Sequence, residues 1–162
     1  MTYEIPIPLQ QEHEQLHATL RHITQAAGAV GEAARDLARL MHPHFVKEDA
    51  IALPPLGLLE TLASGKVSAE MAGVLRLTDE LRAELPVMLA EHRTIVAALD
   101  RLEQVARLAG RDDIIEFAQA LRLHAETEEK VMYPAAILVG EFHCTVPAYG
   151  SGQRRGSPTP GS

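Results

Sequence analysis

Apolar residues recur at helical spacing through most of the chain. Leu9, Leu16, Leu20 and Ile23 fall on one face of a helix. Pro6 and Pro8 set the start of that helix, because proline suits a first turn whose N–H groups have no partners. Gly28 and Gly31 punctuate the turn that follows, and a second helix is predicted from about Glu32 to the Leu53-Pro54-Pro55 stop, bent at Pro43. Residues 55–67, with Gly57 and Ser64-Gly65, read as a connector. Ser68 to Leu85 predicts an additional helix with Ser68 at its N-cap; it either joins the next helix at a Pro86 kink or packs separately. The third bundle helix runs from about Pro86 to Leu108 and ends at Gly110, the place equivalent to Gly31. A fourth begins near Asp112-Asp113, whose charge suits a helix N-terminus, and passes Pro134 or stops there. Residues 145–162 are rich in Gly, Pro and Ser with almost nothing to bury, and are expected to form a disordered tail. The predicted fold is all-α: two similar helical hairpins with an additional connector helix between them, in one domain over residues 1–144.

Composition sharpens this. Hydrophobic residues make up 46% of the chain but aromatics only 4%, so the core must come from Leu, Ala, Val and Ile. The net charge of -7 argues against a nucleic-acid partner, which needs a basic face. A single cysteine rules out a disulfide framework within the chain. With no signal-peptide pattern and no apolar stretch of about 18 residues, the expectation is a cytoplasmic protein with no membrane partner.

The chain also says one thing twice. His13, then His44 with Glu48, recurs as His92, then His124 with Glu128. The paired histidines are 31 and 32 residues apart, and each glutamate follows its histidine by four. Glu12-His13 matches Glu91-His92, and the run from His44 to Pro54 matches that from His124 to Pro134. In an antiparallel hairpin, facing residues are equidistant from the turn. The midpoints fall at the Gly28–Gly31 turn and two residues before Gly110, so His13 should face His44, and His92 should face His124. Each glutamate lies one turn beyond its histidine on the same face.

A single His-x-x-x-Glu pair is ordinarily a solvated pair worth a few tenths of a kcal/mol. Two of them in register, each with an upstream Glu-His, point to a two-metal site. Carboxylates can bridge ions about 3.5–4 Å apart, and imidazoles supply terminal ligands. Each ion would take two histidines and a share of both glutamates. Nitrogen and oxygen donors without thiolate favour iron, with manganese and zinc as alternatives.

This pattern, with the run Pro86-Val87-Met88-Leu89-Ala90-Glu91-His92, resembles the hemerythrin-like (HHE cation-binding) family over about residues 9–140. The resemblance implies an up-down-up-down four-helix bundle holding a non-haem di-iron centre, two oxo- or hydroxo-bridged irons. His13, His44, His92 and His124 match the histidine ligands, and Glu48 and Glu128 the bridging carboxylates. Two departures stand out. Oxygen carriers of the family have a histidine where this chain has Met88, and an aspartate five residues after the last histidine where it has Glu128 at four. The set is similar to the di-iron domain of bacterial repair-of-iron-centres proteins, whose short cysteine-containing N-terminal domain has no counterpart here.

Other residues rank lower. His17 lies one turn from His13, but its repeat partner is Val96, so it reads as a packing histidine before a fifth ligand. Glu14-x-x-His17 occurs once, not twice as a ferritin-like signature requires. Glu12 and Glu91 are candidates for carboxylates that orient histidines, but as neighbours in sequence they should point well away from them, so solvated charge is the preferred reading. His42 is expected at the surface, Tyr133 in packing, and His143-Cys144 is too short a motif for a site. The expected function is sensing or handling of dioxygen, peroxide, nitric oxide or iron, in the manner of a stress response. The expected partner is a small diatomic or peroxide ligand. A repair-type iron donor, a peroxide-decomposing enzyme and a structural zinc bundle are the alternatives.

Overall fold

The computed structural model of the chain describes residues 3–145 and, within them, a helical protein with no strand. Helix α1 spans Ile7–Ile23, α2 Gly28–Lys47, the short α3 Leu59–Ala63, α4 Val74–Leu108, α5 Asp112–Thr127 and α6 Tyr133–Thr145. Pro8 sits in the first turn of α1, as its fixed φ favours. Helix α1 packs on α2 and α5, while α4 packs on α2, α5 and α6. The ring order α1–α2–α4–α5 with short hairpin turns is an up-down-up-down four-helix bundle. No helix among the described residues is long and apolar enough to cross a membrane.

The predicted additional helix and the third bundle helix are one. After a 3-10 turn over Ala69–Gly73, α4 runs unbroken for 35 residues through Pro86. Pro86 is solvent-exposed, so the backbone carbonyl it leaves without a donor can be satisfied by water. What connects the halves is the 3-10 turn Pro54–Leu58, α3 and the turn before α4. The second helix starts earlier than expected, at Gly28, which carries the positive φ of the first hairpin turn. Gly110 ends α4 as expected. Its φ is +66°, Arg111 N–H bonds Ala106 C=O at 2.9 Å and Gly110 N–H bonds Arg107 C=O at 3.2 Å, the paired bonds of a Schellman cap.

Gly31 serves packing rather than the turn. A Cβ there would lie 1.8 Å from the Ala26 carbonyl oxygen, a backbone atom with little room to move. Gly31→Ala is expected to cost about 1–3 kcal/mol through this overlap. Urea unfolding checks it, and an unchanged midpoint would show that the α1–α2 turn can shift freely.

The core has two main layers. One joins Leu20, Leu37, Met41, Phe45, Ile95, Leu99, Leu102 and Leu121 near the hairpin turns. The other joins Ile51, Leu53, Leu81, Met88, Met132 and Tyr133 where the start of α4, α6 and the Pro54–Leu58 turn close the far end. The repeated histidines and glutamates lie between these layers. As composition requires, most of this core is Leu, Ala, Val and Ile. Most of the expected disordered tail, residues 146–162, lies outside the described residues, as do the side chains of His143 and Cys144.

Candidate metal centre

Each repeated glutamate opens a π-turn. Glu48–Ala52 and Glu128–Met132 follow α2 and α5 at equivalent places, the first leading into the 3-10 turn Pro54–Leu58 and the second into α6. In both, the glutamate carbonyl accepts from the N–H five residues on: Leu53 N–H at 3.0 Å in the first half, Tyr133 N–H in the second. A proline follows each donor. In a continuous α-helix the Pro54 and Pro134 rings would collide with the carbonyls of Ala50 and Lys130 and give them no donor. Widening the turn before each proline relieves this, and such bulges recur at functional sites. The chain passes Pro134 and continues as α6.

All six repeated residues converge. His13, His44, His92 and His124 are 2–4% exposed, Glu48 is fully buried and Glu128 is 1% exposed. The pairing differs from the midpoint argument. His13 meets His124 with ring centroids 5.0 Å apart, and His44 meets His92 at 4.6 Å, so the histidines pair between hairpins and not within them. Distance from a turn fixes level along the bundle, whereas rotation about each helix axis decides which ring lies nearest. Two groups of donor atoms result: His44, Glu48, His92 and Glu128, and His13, His124 and Glu128. Glu128 spans both. Its Oε1 lies 3.3 Å from His13 Nε2 and 2.8 Å from His124 Nε2, and its Oε2 lies 3.3 Å from His92 Nε2. Glu48 spans them less evenly, with Oε1 3.3 Å from His44 Nε2 and Oε2 3.8 Å from His13 Nε2.

Each of these four histidines turns Nε2 inward and Nδ1 toward a carboxylate on a neighbouring helical rod. His44 Nδ1–H donates to Glu91 at 2.8 Å, His92 to Glu129 at 2.9 Å and His13 to Asp49 at 3.2 Å. His124 Nδ1 lies 3.1 Å from Glu12 Oε1 but out of hydrogen-bond alignment. Such carboxylates fix the ring and raise its basicity. This corrects the reading of Glu12 and Glu91 as solvated charge: each points away from the histidine beside it in sequence and toward one on another helix. The repeat carried the signal, since Glu48-Asp49 matches Glu128-Glu129 just as Glu12-His13 matches Glu91-His92. Tyr133 packs, as expected, but its hydroxyl also donates to Glu48 Oε1 and lies 3.2 Å from His92 Nε2.

Protons distribute over the cluster accordingly. Burial and the neighbouring Glu128 charge push the Glu48 carboxyl up. Burial opposes ionisation of Glu128 too, but the His124, His13 and His92 rings beside its oxygens hold it well below the usual carboxylate range. Burial disfavours a charged His124 ring, yet the Glu128 carboxylate 2.8 Å away prevails and raises it to about 9. His13 and His44 are raised in the same way, by Glu128 and Glu48 respectively, against burial. Burial and the Glu48 charge raise the Tyr133 hydroxyl, which stays protonated.

The donor set fits a pair of cations. His44 Nε2, His124 Nε2 and Glu48 Oε2 are buried with no aligned hydrogen-bond partner, although carboxylate oxygens lie near them in distance. Lone pairs crowded this way around two carboxylates suit metal coordination better than hydrogen bonding.

A family model described as the hemerythrin HHE cation binding domain matches residues 7–136. The chain belongs to the hemerythrin HHE family. No curated protein and no solved structure matches it significantly. Family membership and the buried His/Glu cluster together support metal binding. In this hemerythrin-family chain the place one turn before His92 is Met88, fully buried and part of the apolar layer behind the site. His17 belongs to neither donor group. Its ring rests 4.5 Å from that of Phe45, and burial, then His42, lowers its pKa. His42 is exposed, as expected.

Proposed function

We propose that the cluster holds two iron ions and that the protein senses or handles a small oxidant: dioxygen, peroxide or nitric oxide. His13 and His124 would serve one ion and His44 and His92 the other, with Glu48 and Glu128 shared between them. One observation carries this reading: four inward Nε2 atoms surround two buried carboxylates, and several of these atoms have no aligned partner. Nitrogen and oxygen donors without thiolate favour iron over softer metals. When bound, such a pair supplies electrons and coordination positions to a small oxidant.

The chain's own residues define the rest. Glu91, Glu129 and Asp49 orient three of the rings through Nδ1. Phe45, Met88 and Met132 shield the layer with apolar side chains. Tyr133 keeps its proton on the oxygen it directs at Glu48. Six ligands leave coordination positions open on both ions, because Met88 offers no nitrogen and His17 is turned toward Phe45. A reversible carrier needs one ion saturated by protein, so reactivity rather than carriage is the expected outcome.

The reduced, iron-loaded protein should therefore oxidise irreversibly on exposure to air, within minutes to hours. An optical time course in air followed by evacuation checks this. A long-lived coloured species that disappears under vacuum and returns with air would point to reversible dioxygen binding instead.

A further inference from the structure

Two of the positions at which the halves differ favour the same half of the centre. Tyr133 occupies the position of Leu53 in the first half; Leu53 is fully buried and has no hydroxyl to offer Glu128. Lys47 occupies the position of Thr127, whose hydroxyl turns back to the Leu123 carbonyl at 2.8 Å.

Around His44 and His92, each ligand is held by a group that is itself anchored. Lys47 Nζ donates to Glu91 at 2.7 Å and lies 3.4 Å from Glu84, and Glu91 in turn accepts from His44. Tyr133 stacks on His92 with centroids 5.7 Å apart and donates to Glu48. The carboxylates behind these two histidines, Glu91 and Glu129, have side chains 34% and 37% exposed.

Around His13 and His124 the support is looser. Asp49 and Glu12 have side chains 51% and 49% exposed, and among the described residues neither forms an ion pair with a lysine or arginine. Asp49 bonds His13 at the longer 3.2 Å, and Glu12 is out of alignment with His124. This half also borders a cleft of about 830 Å³ lined by Gln10, His13, Glu14, His17, Arg21 and Asp49.

We propose that the two metal positions are inequivalent: the His44/His92 position retains its ion, and the His13/His124 position is exchange-labile and opens on the cleft. The proposal rests on the two-ion reading above. Fixed ligands lose less freedom on binding and release more slowly, whereas half-solvated supports let a ligand swing away with its ion. The labile position is where a small oxidant or a competing chelator gains entry. Tyr133 and Lys47 are positioning residues for the retained ion.

Release kinetics test this. The anaerobic ferrous protein, loaded to two irons per chain, is mixed with excess ferrous chelator and release is followed optically. Two phases of equal amplitude are expected. Tyr133→Phe and Lys47→Met should each speed the slow phase, by about 10-fold or more, with the fast phase unchanged. Asp49→Asn should speed the fast phase alone. Circular dichroism of each variant confirms that it is folded before release is compared. Two irons leaving in a single phase would overturn the inequivalence while leaving the two-ion centre intact. Acceleration of the slow phase by Asp49→Asn would overturn the assignment of the labile half. Failure to load a second iron would overturn the two-ion reading, and this inference with it.

Discussion

Replacing Glu128 by Ala is expected to strip the protein of iron, from two ions per chain to well below one. Glu128 is the one residue common to both donor groups. Its two oxygens reach His13, His124 and His92 within 3.3 Å, so in the proposed centre its loss would remove a ligand from each position together with the anion that would keep two cations close. Glu48 cannot compensate, since Tyr133 holds one of its oxygens on the His44/His92 side. Glu91→Gln is the comparison. It weakens an orienting bond without removing a ligand, so affinity should fall by roughly 10–100-fold while stoichiometry recovers at excess iron. Metal analysis of both variants after anaerobic loading separates the two effects. Full loading of Glu128→Ala would exclude it as a bridging ligand.

The second large effect is expected in the metal-free protein, whose stability should fall as pH rises. The folded-state pKa of His124 is raised from 6.5 to about 9, Glu128 outweighing burial. A raised pKa means that the folded state binds the proton more tightly than the unfolded chain. Its contribution is therefore fully present below pH 6.5 and is lost as pH climbs through 9. At about 1.4 kcal/mol per pKa unit this amounts to on the order of 3 kcal/mol, or roughly 6–12 °C in melting temperature. Glu48 acts in the same direction, because burial and Glu128 raise its pKa above 4.5 and ionising it in the folded apoprotein costs free energy. Bound metal takes the place of these protons and prefers the deprotonated ligands. The gap between holo and apo melting temperatures should widen from pH 6.5 to pH 9. Parallel melting curves across that range would show that the cluster does not couple to folding.

The convergence of these six residues was legible because the pattern is written twice. A bundle interior tolerates buried carboxylates and imidazoles only with compensation, so a repeated register of six such residues marked the level at which they meet. The pairing of the rings was not legible, because sequence spacing gives height along a helix and only loosely its rotation. Glu12 and Glu91 were misjudged for a related reason. Their neighbours in sequence are histidines, but their partners are His124 and His44 on other helices. Pro54 ends its rod as the sequence suggests, giving way to a 3-10 turn, whereas at Pro134 the choice between stopping and passing was open and the chain passes, each proline being preceded by a π-turn begun at a buried glutamate. Spacing left open whether the helices on either side of Pro86 join or pack separately, and they join, with Pro86 on an exposed face of α4. Tyr133 followed the pattern of a packing residue because its repeat partner is Leu53. Only the fold shows its hydroxyl reaching Glu48.

The proposed paired iron centre is built from His13, His44, Glu48, His92, His124 and Glu128. Metal analysis combined with Mössbauer spectroscopy, on protein loaded with iron and oxidised in air, tests it directly. Two irons per chain are expected, with the signal of a magnetically coupled pair that Glu128→Ala abolishes. A single iron per chain, or two irons that behave as independent paramagnetic ions, would contradict it.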